Sequence, residues 1–227
     1  MLSDYALNKD KGMIMQFFGG NIEALIDLIQ NWPGYEKITE KIRKYGKDLK
    51  NNLRRAGAVD KNAFCVLNHG DLWVNNILFK YDEQRNPVDI NFVDFQMSVW
   101  NTPAIDLNYF LYTSVELDVL KTKVEVLLKA YYNSLSATLK ELDCIDIPTY
   151  QDIYNDFQKH QLYGFFANYG IYPVVCQDKE LSQDSSLENF NDPDFAKQKL
   201  KQLFASKRLE AMYRYSLEKF DKMGIFD

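Results

Sequence analysis

One stretch constrains the fold of this chain more tightly than any other. It runs His69-Gly70-Asp71-Leu72-Trp73-Val74-Asn75-Asn76 and is completed by Val93-Asp94-Phe95-Gln96. Phe64-Cys65-Val66-Leu67 reads as a short apolar strand leading in, and Ile77-Leu78-Phe79-Lys80 as a strand leading out. Tyr81 to Pro87, with Asp82, Asn86 and Pro87, has the composition of a turn. Val88, Ile90 and Phe92 then alternate with Asp89 and Asn91, which predicts a half-buried strand. A hairpin returns the chain to the end where it began. Asn76 and Asp94 are therefore expected to be neighbours, with Asp71 in the loop just before them.

A carboxylate, an amide five positions later and a second carboxylate after an apolar strand form the set that phosphoryl transfer from Mg-ATP requires. Asp94 offers a hard carboxylate oxygen to Mg²⁺, and Asn76 a neutral carbonyl oxygen. Asp71 is placed to orient a hydroxyl and accept its proton. Each residue also has an ordinary reading. Asp71, Asn75 and Asn76 are common turn formers, Asp94 at a strand end is a natural cap, and a single His69 is most often a core residue. Spacing and strand-loop-strand context together favour the site.

Helices are expected on both sides of this β-like centre. Asn21 is read as the cap of a first helix through Ile22, Leu25, Ile26 and Ile29, ended by Pro33-Gly34. A second is read over about Glu36 to Arg55, with Ile38, Ile42, Tyr45, Leu49 and Leu53 as its buried stripe. Its many Lys and Arg residues are interleaved with Glu36, Glu40 and Asp48, so they read as a solvated face. Beyond the motif, helices are predicted from Pro103 through Leu111, from about Leu117 to Leu142, and from a Thr149/Asp152 capping box to near Gly170. A last one is predicted from Asp192-Pro193 to near Gly224, after a polar loop over about Asp178 to Asn191. The fold class that results is α+β: a mostly helical lobe with a small β-hairpin region carrying the loop. Residues 1–20 are read as an N-terminal extension and 21–227 as the lobe, with the loop at 68–76 and the metal-binding segment at 93–96.

Composition narrows the partners. The 27 basic residues against 32 acidic give a net charge of −5, so nothing in the charge favours nucleic acid. Cys65, Cys144 and Cys176 form no CxxC pair, which suits reduced thiols in a cytoplasmic protein. No apolar run at the start resembles a signal peptide. The longest uncharged stretch, His160 to Gln177, is broken by glycines and Pro173; it reads as a buried helix end and a turn, so no membrane partner is expected.

His69 through Phe79, with Val93 to Gln96, resembles the catalytic core of the ecdysteroid kinase-like family, grouped with choline kinases and aminoglycoside phosphotransferases in the protein-kinase-like fold. The resemblance implies Asp71 as catalytic base, Asn76 and Asp94 as Mg²⁺ ligands, ATP as phosphoryl donor, and a small-molecule hydroxyl as acceptor. It further implies that His69 braces the loop. Asp106, in Pro103-Ala104-Ile105-Asp106-Leu107, is similar to the family's buried carboxylate that holds the same loop, and reads equally as a plain helix-start Asp. Protein Ser/Thr kinases usually carry Lys two positions after the catalytic Asp. Trp73 stands there in this chain and points to the small-molecule branch.

A kinase of this fold also has a smaller lobe with a Gly-rich strand turn and a strand Lys. Gly12, Gly19 and Gly20 are flanked by no alternating strands, and Lys9 and Lys11 lie in a polar stretch. The chain is accordingly read as the large lobe alone, with weak nucleotide binding and low activity expected. The leading functional reading is an ATP-dependent phosphotransferase acting on a small-molecule alcohol, of which a steroid such as an ecdysteroid is one candidate. The alternative is a non-catalytic module that binds a ligand or partner. A metal-dependent hydrolase fits poorly, because two histidines build no His-rich zinc site and there is no HExxH or GxSxG.

Overall fold

The computed structural model describes residues 13–60, 62–177 and 193–227. Among the described residues three helices come first: α1 (Met13–Ile29), α2 (Glu36–Lys47) and α3 (Leu49–Ala56). The β region follows as β1 (Val66–Asn68), a 3₁₀ turn at Val74–Asn76, β2 (Ile77–Tyr81), β3 (Pro87–Phe92), a second 3₁₀ turn at Phe95–Met97, and β4 (Val99–Asn101). Then come α4 (Ala104–Ser114), α5 (Leu117–Thr122), α6 (Val124–Glu141), α7 (Tyr150–Lys159), α8 (Gln161–Gly170) and the short α9 (Tyr172–Val175). The last two are α10 (Pro193–Leu203) and α11 (Lys207–Lys222). The fold is α+β and mostly helical, with two small antiparallel sheets among the described residues.

Two compact units divide the described residues, one within 58–164 and the other from 13–57 together with 165–177 and 193–227. In the second unit the predicted stripe of Ile38, Ile42, Tyr45, Leu49 and Leu53 is buried throughout. It does not lie on one helix. The helix ends at Asp48 (φ −116°, ψ 32°) and restarts at Leu49, so the apolar face continues across a break. The first helix likewise begins earlier than predicted, at Met13, and Asn21 lies inside it rather than at its cap. Asn21 is almost fully buried, and its Nδ2 donates to the Gly170 carbonyl at 3.0 Å. Gly20 serves close packing instead of a turn, since a Cβ there would come within 2.9 Å of the Leu200 side chain. Aromatic packing completes this core: the Phe165 ring lies 4.8 Å from that of Phe226 and 4.9 Å from that of Tyr169.

The first unit holds both sheets. β1 pairs antiparallel with β4, a strand that the sequence did not announce, and β2 pairs with β3 from Ile77↔Phe92 to Tyr81↔Pro87. The alternating β3 strand is exposed along its whole length instead of half-buried. Leu78, Val88 and Tyr81 of this two-stranded ribbon are more than half exposed. The Thr149/Asp152 capping box is present: Thr149 Oγ1 accepts from the Asp152 N–H, and Asp152 Oδ2 accepts from the Thr149 N–H at 2.8 Å. Three more of the predicted long helices are each two. The first breaks at Lys123, the second at His160, and the last between Leu203 and Lys207. Residues 1–12, which hold Lys9 and Lys11, lie outside the described residues, as do the expected polar loop at 178–191 and Asp192.

Candidate active site

β1 delivers the chain to the loop, and α4 holds it there. Gly70 turns the backbone at φ +82°, a conformation that favours glycine. That turn points two successive N–H groups, those of His69 and Gly70, at the side chain of Asp106 in the first turn of α4. Asp106 Oδ2 accepts from the His69 N–H at 2.6 Å, and Oδ1 accepts from the Gly70 N–H at 2.9 Å. Asn68 Oδ1 accepts in return from the Asp106 N–H at 3.3 Å. Burial pushes the Asp106 carboxyl above the usual carboxylate range, and the two backbone N–H groups oppose that rise.

His69 reaches the other way. Its Nε2 donates to the Val93 carbonyl at 2.9 Å, and its ring lies 4.8 Å from that of Phe95. With the proton on Nε2, Nδ1 is free to accept from the Asp71 N–H, 3.4 Å away. Asn76 ends the loop, and its backbone carbonyl accepts from the Val93 N–H at 3.0 Å. The hairpin thus sets Asn76 beside Val93 and one residue from Asp94, as the sequence predicted. Asp94 follows in the left-handed region (φ 65°, ψ 62°) with its side chain exposed; Oδ2 accepts from Gln96 Nε2 at 3.2 Å.

Asp71 is half-buried and engaged at both oxygens. Asn76 Nδ2 donates to Asp71 Oδ2 at 3.1 Å and to the Asp71 carbonyl at 2.9 Å. Both amide hydrogens of Asn76 are therefore turned to Asp71, and Asn76 Oδ1 is left facing away as an acceptor. Tyr109 donates to Asp71 Oδ1 at 2.6 Å. The sequence reading missed Tyr109, although its place three residues after Asp106 puts both on one face of a helix. It also missed Ser114, whose Oγ accepts from the Val74 N–H at 2.9 Å. The Trp73 indole nitrogen is buried.

The donor set fits Mg²⁺ better than a closed metal cage. No three His, Cys, Asp or Glu side chains gather for a metal among the described residues. Asn76 Oδ1, on a buried residue, and the exposed Asp94 carboxylate are hard oxygens of the kind that Mg²⁺ takes. Mg²⁺ is commonly held by one or two carboxylates, with water and substrate phosphates completing the shell.

The α+β, mostly helical architecture is that of a kinase-like lobe. The chain belongs to the ecdysteroid kinase-like family, whose model matches residues 1–144 of its 227. No curated protein and no solved structure gives a significant match. Among the described residues, no helix is long and apolar enough to cross a membrane.

Proposed function

We propose that this chain carries the phosphoryl-transfer centre of a small-molecule kinase that uses Mg-ATP to phosphorylate an alcohol. The observation that supports it most is the side-chain bond between Asn76 and Asp71 at 3.1 Å, in a loop whose hairpin closes one residue from Asp94. That contact supports drawing a base and two metal-holding oxygens from residues 71 to 94. In this reading Asp71 is the base, Asn76 Oδ1 and Asp94 hold the metal, and His69 and Asp106 fix the loop.

Bound Mg²⁺ would neutralise charge on the phosphates, which is most of what a loose phosphoryl transition state needs. The protein's own part is positional. Asp71 takes the proton of the acceptor O–H as that oxygen forms the new P–O bond, and the bond from the γ-phosphorus to the ADP oxygen breaks. Asn76 keeps the Asp71 carboxylate at a fixed distance from the metal side of the loop. The family name favours a steroid alcohol among acceptors, and the chemistry of the site accepts any hydroxyl that can reach Asp71.

The test is transfer of label from γ-labelled ATP to a panel of alcohols that includes steroids, in the native chain and in Asp71→Asn. The substitution should lower Mg²⁺-dependent transfer by about 10²–10⁴-fold, the usual worth of a general base. Transfer that continues at the native rate in Asp71→Asn would remove Asp71 from the chemistry.

A further inference from the structure

Tyr109 makes the shortest contact to the Asp71 carboxylate, and the roles given above leave it unused. Its side chain is 1% exposed in the middle of α4, and its ring sits 6.2 Å from that of Tyr163, which is also buried. The anchor is thus rigid, while Asp71, on the loop, is half-buried. An Asp side chain has a broad χ2 well, so one hydrogen bond leaves its carboxylate free to swing. Asn76 on Oδ2 supplies one such bond, and Tyr109 on Oδ1 supplies the second. Two donors on opposite oxygens fix the plane.

We propose that Tyr109 is a positioning residue that locks the carboxylate plane of Asp71, so that the remaining lone pairs face the incoming hydroxyl. This rests on the reading of Asp71 as the base. The same helix already grips the loop backbone through Asp106, one turn earlier, and Ser114 holds the N–H of Val74. Helix α4 therefore sets both the course of the loop and the orientation of its reactive side chain. Burial and the neighbouring Asp71 charge push the Tyr109 phenol far above its usual range. It remains a donor throughout, and no proton passes to or from it. The proton of the acceptor alcohol goes to Asp71 alone.

The test is Tyr109→Phe, which removes one oxygen and keeps the ring in the core. In protein labelled with ¹³C at the Asp carboxyl carbons, the Asp71 signal is the one that disappears in Asp71→Asn. That signal should move in Tyr109→Phe and stay in place in Tyr112→Phe, whose hydroxyl on the same helix bonds Gln161 instead at 2.7 Å. In the native chain the Tyr109 hydroxyl proton should exchange slowly and show a cross-peak to the Asp71 β-protons. Under turnover, kcat should fall about 10–100-fold, the worth of one hydrogen bond to a charged group, with both KM values unchanged. An Asp71 signal unmoved by Tyr109→Phe, an absent cross-peak, or a native kcat overturns the proposal. Transfer that survives Asp71→Asn at the native rate overturns instead the assignment of Asp71 as base, and this one with it.

Discussion

Gly70 lies so close to Met97 that a Cβ built on it would stand 1.9 Å from the Met97 carbonyl oxygen. The loop bearing Asp71 and the segment after Asp94 are thus in backbone contact, and only a residue without a side chain permits it. The positive φ of Gly70 adds a second demand for glycine. Gly70→Ala combines left-handed strain of about 1–2 kcal/mol with a clash against backbone that no rotamer relieves. A loss of more than about 2 kcal/mol in urea unfolding is expected, together with loss of phosphoryl transfer. Native stability in this variant would mean that the two segments are not in contact.

Asp106 satisfies two backbone N–H groups with two oxygens, so its substitutions should rank by how many acceptors they leave. Asp106→Asn keeps one acceptor oxygen, and Asp106→Ala keeps none. Each buried N–H left unpaired costs about 1–3 kcal/mol. Asp106→Ala should therefore unfold at lower urea than Asp106→Asn, and both below the native chain. The opposite order would show that the burial of the carboxylate, which already pushes its ionisation upward, outweighs its hydrogen bonds.

His160 introduces a pH dependence away from the site. Burial pulls its ionisation down, but its Nδ1 meets the Asp156 carboxylate at 3.1 Å and the Asp156 carbonyl at 2.9 Å, and the net shift is upward from the ordinary 6.5. A raised folded-state value means that the protonated ring binds better in the folded chain. The contribution is fully present below the unfolded value and is lost as pH rises through the folded one. The melting temperature of the native chain should exceed that of His160→Gln most clearly below pH 6.5, and the gap should narrow as pH rises above that value. A gap that widens with pH would contradict the pairing with Asp156.

The parts of this architecture that could be read from the chain were those set by local spacing. The stripe from Ile38 to Leu53 is spaced for a helical face, and the Thr149/Asp152 box is a three-residue signal, so both survive in the structure. Helix breaks were illegible. Lys123 and His160 have no glycine or proline beside the break, and Gly46, two residues before Asp48, is a signal that a continuous helix also tolerates; packing decides where each helix turns. Asn21 reads locally as a cap, yet a carbonyl 149 positions away claims its side chain. The alternation of Val88, Ile90 and Phe92 gives the strand correctly but not its burial, because period two reports a pleat and not what covers it. At the site, the hairpin brought Asn76 and the Asp94 segment together as spacing required. Tyr109 escaped notice because a tyrosine in an apolar helix looks like core until the loop is placed against it.

The proposed kinase chemistry depends most directly on the metal-binding role of Asp94. Calorimetric titration of Mg-ATP into the native chain and into Asp94→Asn, both shown to be folded, measures it. The prediction is a weak but saturable Mg²⁺-dependent heat in the native chain that is absent from the variant. Superimposable isotherms in the two proteins would contradict it.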